Sequence, residues 1–349
     1  MPLEATDFAD LVASTLKNLG PYDTVSNIAQ DKQHYEVLSR WFQNYKDTLE
    51  SGPSIQRNLL VGDGTDGAAE YNEVTAEDNV NLIDILKQIT IPWRHAKTSW
   101  MVVRQHVLMN RKPSAIVNYI QKQRDYAMLC FHKVLERKAW GTAPTSSDVL
   151  SPWGVRYWVV QNASTGFYGG SPTGDDLIAG INLTLLPVTG QFNNYSGTYA
   201  AATPGDLLAK MNTMHRKCGF VSPVTMKEYS SGTGNMQRVY CNETSITGFE
   251  QMCMANGDLS LTDISKVNGL QLSFRNHPIK WIPELDAETN NPVYMLDHST
   301  FKPVVLEGDD MFETRNMAPR NHNIEQYFVD LSHNYECTNR RLNGVIYQA

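Results

Sequence analysis

Residues 113–140 read as one uninterrupted helix, and a helix of that length constrains everything laid around it. Lys112–Pro113 opens it, with proline in the first turn, where its missing N–H costs nothing. Ile116, Ile120, Ala127, Cys130, Phe131 and Val134 fall within one face at about 100° per residue, and Trp140–Gly141 closes it. Arg111, Lys122, Lys133 and Arg137 run as a basic stripe roughly on the other side. At about 1.5 Å per residue the segment spans about 42 Å, well over twice the usual helix length. Such a helix behaves as a spine.

The charge around the spine is segregated. Residues 92–141 carry 10 basic and 2 acidic side chains, whereas 53–91 carry 2 and 7. Asp63 to Asp84 holds seven acids and no base. The net charge of −7 over 349 residues hides this contrast. The average argues against a surface that is all nucleic-acid footprint, while an acidic segment running into a basic one points to an interaction role. With 41% hydrophobic residues and 10% aromatic, the chain can bury a sizeable core, and disorder over most of it is excluded. No run of about 18 apolar residues exists, so no membrane helix is expected. The start, MPLEATDFADLV, has acids where a secretory signal needs a basic start and an apolar stretch. Cys130, Cys218, Cys241, Cys253 and Cys337 are odd in number and lack C-x-x-C spacing, so they read as reduced packing residues.

Along the chain, residues 6–19 predict a short amphipathic helix with Phe8, Leu11, Val12, Leu16 and Leu19 on one stripe, stopped by Gly20–Pro21. A second helix is expected over about 31–50, with Tyr35, Leu38, Trp41, Phe42, Tyr45 and Leu49 spaced by three and four. Ser54–Val61 and Leu86–Val103 read as strands on either side of the acidic, glycine-rich stretch GDGTDGAAEYNEVTAEDN. They outline a two-stranded excursion with little core of its own, which must lie on something else. Beyond the spine, Val155–Gln161 is expected as a strand and 162–196 as loop-rich. A helix follows at 204–218, capped by Thr203 and closed by Gly219. Phe220–Thr225 reads as a short strand or turn, Arg238–Asn242 as a strand and Ser245–Asn256 as a helix. The end of the chain is strand-rich, at Ile279–Leu285, Val293–Asp297, Phe301–Leu306, Gln326–Ser332 and Leu342–Tyr347. This is an α+β pattern.

Catalytic signatures are sparse. Gly62, Gly64 and Gly67 fit G-x-G-x-x-G, but Asp63 and Asp66 inside the loop would repel a phosphate, and no apolar helical stripe follows. Asp63, Asp66, Glu70 and Glu73 do not have the spacing of a calcium loop, so they read as a solvated acidic tip. No G-x-x-x-x-G-K-[ST], G-x-S-x-G or H-E-x-x-H occurs. No cofactor, metal or catalytic residue is expected.

The order of elements resembles the tailed-phage major capsid proteins of the Hong Kong 97-like fold. The residues that carry the resemblance are the excursion at 53–103, the spine KPSAIVNYIQKQRDYAMLCFHKVLERKAWGT, the helix TPGDLLAKMNTMHRKCG and the tail from NPVYMLDHSTFKPVVLEG to RRLNGVIYQA. The resemblance covers nearly the whole chain and rests on element order, since the family has no short diagnostic motif. It implies an N-terminal arm at 1–52, an extended loop at 53–103, a peripheral domain with the spine at 104–165, an axial domain at 166–270 and return strands of both domains at 271–349. It further implies hexamers and pentamers in an icosahedral shell around double-stranded DNA, assembled in the host cytoplasm. A separate scaffolding protein, since Met1 argues against a trimmed leader, and portal and decoration proteins are its implied partners, with no membrane. The loop tip Asp63, Asp66, Glu70 and Glu73 would contact a neighbouring subunit. The basic face Arg111, Lys122, Lys133 and Arg137 would meet either a neighbour's loop or packaged DNA. Two other readings stay open: an encapsulin-like compartment, and a nucleotide-binding enzyme built on Gly62–Gly67.

Overall fold

The computed structural model describes residues 35–61, 86–103, 105, 113–219, 237–255, 264–267, 271–275, 277–316 and 323–349. The chain order begins with a wide helical stretch α1 (Val37–Tyr45), β1 (Asp47–Leu49), β2 (Ser54–Leu60), β3 (Leu86–Pro92) and β4 (Arg94–Val103). The spine α2 (Pro113–Trp140) and a short helix α3 (Val155–Trp158) follow, then β5 (Gly166–Gly169), β6 (Leu177–Ile178), β7 (Ile181–Asn182) and β8 (Asn194–Tyr199). Next come α4 (Ala209–Cys218), β9 (Gln237–Cys241), α5 (Glu243–Ala255), β10 (Ile264–Val267), β11 (Gln271–Phe274) and β12 (His277–Trp281). The chain ends with β13 (Val293–Asp297), β14 (Phe301–Leu306), β15 (Phe312–Arg315), β16 (Ile324–Cys337) and β17 (Gly344–Gln348).

Two compact units form. The first contains His95–Leu135 and Gly308–Ser332; the second contains Glu36–Arg94, Glu136–Glu307 and His333–Ala349. Helix α2 and strand β16 contribute residues to both.

In the first unit β15 pairs antiparallel with β16, from Phe312 opposite Asp330 to Arg315 opposite Tyr327, and β4 also pairs with β16. Alternation along β4 sends Trp100 and Val102 inward against Ala127 of α2. Trp100 stacks on Tyr327 at 4.2 Å, and its indole N–H donates to Glu313 at 2.9 Å. Glu313 also accepts from Arg124 at 3.0 Å, so one carboxylate ties helix, strand and indole together.

The second unit is built on an eight-stranded sheet in the order β10-β11-β12-β9-β13-β17-β8-β5. Period-two alternation sorts its two faces. Val239, Cys241, Val293, Met295 and Ile346 pack against Leu207, Met211, Met214, Phe249 and Met252 of the helical segments. Tyr240 and Tyr294 point the other way, onto Trp140. Fully buried Arg340 stitches the chain from Trp158 to Asn194 to this sheet. Its guanidinium donates to the carbonyls of Trp158, Phe192, Gly169 and Gly170 and to Asn194 Oδ1, at 2.6–3.0 Å. No carboxylate faces it among these partners, and burial lowers its pKa to about 10. Gly169 is required here, because a Cβ would strike the Asn194 amide.

Several expectations are corrected. Val155–Gln161 is not a strand: Val155, Tyr157 and Trp158 are buried together on a short helix, where Trp158 donates to Tyr335 O at 3.0 Å. The β-branched and aromatic run loses its strand preference to that packing. The helix expected over 31–50 ends at Tyr45, and Asp47–Leu49 pairs parallel with β14. On α2 the buried seam runs Ala127, Phe131, Leu135 and Ala139 in steps of four, so it drifts away from Val134, which is exposed. Ile279–Leu285 divides at Pro283 into β12 and a helical turn. Thr203 makes no capping bond; Asp206 takes the N–H groups of Ala200 and Ala201 instead. The expected helix at 6–19 and the segment 220–225 lie outside the described residues.

Replacing Arg340 with Met removes the buried guanidinium donor from four carbonyls, while Asn194 Oδ1 keeps the Val160 N–H. Stability in urea unfolding should fall by about 3 kcal/mol or more, and Arg340→Lys should recover only part of it, because an ammonium cannot span the five acceptors.

Candidate assembly surface

Three features of the second unit bear on contacts with other molecules: the root of the N-terminal segment, the root of the two-stranded excursion, and the C-terminal end of the spine.

The first root is α1. Trp41 is fully buried, with ring centroids 5.1–5.4 Å from Trp140, His298 and Phe301. Its indole N–H donates to Tyr240 Oη at 3.0 Å, and Tyr240 Oη lies 2.8 Å from His298 Nε2. His298 Nδ1 is 3.2 Å from Phe301 O, which can only accept. Nδ1 therefore carries the proton and Nε2 accepts from Tyr240, giving a neutral ring in an unbroken donor chain. Burial holds the His298 pKa down at about 3. Tyr45 stacks on that ring at 4.5 Å. Glu136 closes the start of α1: its carboxylate accepts the Val37 N–H at 2.8 Å and the Trp140 indole N–H at 3.0 Å. A helix N-terminus favours an acceptor there. Burial pushes Glu136 up to about 7 even against those two bonds.

The second root is the β2–β3 ladder, seven residue pairs from Ser54–Pro92 to Leu60–Leu86. Ile55, Leu59, Ile89 and Ile91 are buried on one face, with Arg57 among them. Arg57 donates to Glu336 at 2.8 Å and to Asp47 at 2.7 Å, and Lys302 donates to Asp47 at 3.0 Å. Burial opposes ionisation of Asp47, but Lys302 and Arg57 outweigh it and hold the carboxyl below its ordinary range. The other face carries Gln56, Asn58, Gln88 and Thr90, with Leu60 and Leu86 exposed at one end, and Gln88 donates to Asn58 at 3.4 Å. The buried face of the described part of the excursion thus packs on its own chain.

The third feature is a cavity of about 330 Å³ at the end of α2, lined by Arg137, Lys138, Gly141–Thr145, Asp148 and Ser151. Of the basic residues expected on the spine, Lys122 and Arg137 are exposed and Lys133 is half-buried, all on one side of the helix. Arg111 and the acidic tip Asp63, Asp66, Glu70 and Glu73 lie outside the described residues. What the sequence missed is the set of buried Glu136 and Glu336 with half-buried Arg57 and Asp47. Each pairs across dozens to hundreds of residues, and no local spacing announces that. Among the described residues no cluster of histidine, cysteine and carboxylate side chains could hold a metal, and no helix is long and apolar enough to cross a membrane.

Arg57→Met should loosen the excursion at its root. Protease cleavage within 54–61 should become faster while the melting of the sheet core changes little. A second outcome concerns pH. His333 is buried with neither ring nitrogen hydrogen-bonded, and burial depresses its pKa to about 4 from the usual 6.5. A depressed histidine contributes stability that is complete above about pH 6.5 and is lost as pH falls toward 4. Glu136 runs the opposite way, its contribution fading as pH rises through about 7. His333→Phe should therefore melt higher than the wild type at pH 5 and show a shallower acid slope, by up to about 1.4 kcal/mol per pH unit.

No protein-family model matches the sequence, and no curated protein matches it. Solved structures do. The cyanophage A-1(L) capsid subunit superposes with a TM-score of 0.61 at 12% identity, over 94% of this chain and 98% of that one. The capsid of a native GTA particle gives 0.58 at 12%, over 97% and 98%. The SrpI encapsulin of Synechococcus elongatus PCC 7942 gives 0.53 at 13%, over 99% and 96%. At such identities the likeness is one of architecture, and it extends from end to end of both chains. Spine helix, two-stranded excursion and eight-stranded sheet together place this chain in the Hong Kong 97-like fold of capsid and encapsulin shells.

Proposed function

We propose that the chain is the major capsid protein of a tailed phage, self-assembling into the icosahedral shell around its double-stranded DNA. The observation that carries this reading is the near-complete, two-way coverage by shell subunits. Residues 1–52 serve as the arm and 53–103 as the extended loop, each rooted in the second unit by the Trp41 cage and the Arg57 ion cluster. Residues 104–165 supply the peripheral domain with the spine, 166–270 the axial domain, and 271–349 the return strands. Hexamers and pentamers of this one chain build the shell, with a separate scaffold, a portal and decoration proteins as partners. The loop tip Asp63, Asp66, Glu70 and Glu73 reaches a neighbour. The basic face Arg111, Lys122, Lys133 and Arg137 meets that loop or DNA phosphates, in either case in a salt-sensitive way. The encapsulin likeness supports a second reading, a protein compartment without a genome.

Electron microscopy of the purified, concentrated chain is the direct test. Closed shells or capsomers are expected; discrete small particles under every condition would refute both shell readings. Shells that retain nuclease-resistant DNA when assembled in infected cells favour the capsid over the compartment. Reversing Asp63, Asp66 and Glu70 to Lys should impair assembly while the melting temperature stays within a few degrees of the wild type.

A further inference from the structure

We propose that α1 is an acid-released latch: on acidification it undocks from the second unit as a local event, while the eight-stranded sheet stays folded. The release is a property of the single chain and does not depend on the shell reading.

α1 is poorly fitted to stand alone. It is a nine-residue π-helix, a wide winding that rarely extends beyond one turn, and its N-cap residue Glu36 makes no side-chain capping bond. Glu136 of α2 supplies the missing acceptor, at 2.8 Å from the Val37 N–H. Docking therefore rests on tertiary contacts, and three aromatic side chains of α1 sit on two buried histidines. Tyr45 stacks on His298 at 4.5 Å with the rings 7° from parallel, and Trp41 lies 5.3 Å from the same ring. Phe42 meets His333 at 5.6 Å, edge to face. Both histidines lose that cover when α1 leaves.

Neither histidine takes up a proton readily in place. The Tyr240 hydroxyl accepts from Trp41 and donates to His298 Nε2, while His298 Nδ1–H donates to Phe301 O. A proton on Nε2 would confront the Tyr240 O–H. Turning that hydroxyl away leaves its proton, in a fully buried site, without the acceptor it had. The cations that act on His298 are Arg40 of α1 and Arg238 of β9, and both oppose a further positive charge. Glu36 is paired with Arg40 at 3.2 Å. His333 faces Phe42 of α1 and Tyr335 of its own strand, with Val305 of β14 as its partner across the ladder. Among the described residues neither of its ring nitrogens has a hydrogen-bond partner. Burial accordingly depresses His298 to about 3 and His333 to about 4. A charged imidazole is accommodated once α1 has left, so acid favours the undocked state.

Glu136 works the other way. Burial pushes it up to about 7 while α1 is docked, so its protonation favours docking as pH falls. Tyr240 and Tyr335 are pushed up by burial and stay neutral in acid. With the ordinary values of 6.5 for histidine and 4.5 for glutamate in the undocked state, two histidines outweigh one carboxylate. The ratio of undocked to docked α1 then rises about fiftyfold from pH 6.5 to pH 4.5.

Hydrogen exchange of the full-length chain, read by mass spectrometry and corrected for the intrinsic effect of pH, tests the latch. Protection over 37–45 should fall about fiftyfold between pH 6.5 and pH 4.5. At the lower pH that segment should exchange at least about tenfold faster than β13 and β17, which stay protected. His333→Phe leaves one histidine against one carboxylate and should reduce the fall to about twofold or less. Glu136→Gln should steepen the fall beyond about a hundredfold, a change in the opposite direction that mere loosening of the site would not produce. Equal loss of protection across 37–45, β13 and β17 would mean global unfolding and overturn the latch. Protection over 37–45 that does not change with pH would overturn it too, as would a wild-type slope in both variants. If His333→Phe does not fold, the wild-type profile and the Glu136→Gln slope decide alone.

Discussion

The indole of Trp41 is the contact on which the second unit depends most. It fills the space between the end of the spine, the Tyr240 face of the large sheet and the β13–β14 turn, and its N–H starts the chain of donors that ends on Phe301 O. Trp140, His298 and Phe301 ring it at 5.1–5.4 Å, so aromatic burial and edge-to-face geometry act together. Because Trp41 sits on α1, the same contact that completes the core also holds that helix in place. Glu136 adds direction by accepting the first N–H of that helix.

Three buried polar groups are satisfied without an ion pair. Arg340 is spent on carbonyls, His298 is kept neutral in a donor chain, and Glu136 titrates near neutrality between two N–H donors. By contrast, Arg57, Lys302, Asp47 and Glu336 form a cluster in which two cations meet two carboxylates. It lies where the excursion departs. Placing opposed charges there specifies register, since sliding β2 by one residue would turn Arg57 to the polar face and bury Gln56 or Asn58 in its place. Charge and aromatic packing thus hold α1 and the described part of the excursion more firmly than loop propensity does.

The spine carries the division of labour outward. Its seam of Ala127, Phe131, Leu135 and Ala139 is inward, and Lys122 and Arg137 are exposed on another side. Where the helix ends, the loop that follows exposes Val149 and Leu150.

By itself the sequence determined what depends on neighbours in the chain. The spine appears with its bounds at 113 and 140 because proline, periodicity and the closing glycine are local signals, and the strands at 293–297 and 301–306 appear because β-branched and aromatic residues cluster there. The element order, and with it the fold, followed from those. Tertiary structure decided what depends on distant partners. Val155–Trp158 became a helix because its aromatic side chains are buried together, Asp47–Leu49 became a strand because β14 lies beside it, and Val134 turned outward because the seam steps by four. The anchoring groups were illegible for the same reason: Glu136 and Val37 are 99 residues apart, and Arg57 and Glu336 are 279. A buried charge is recognised by what surrounds it, and only the folded chain assembles those surroundings.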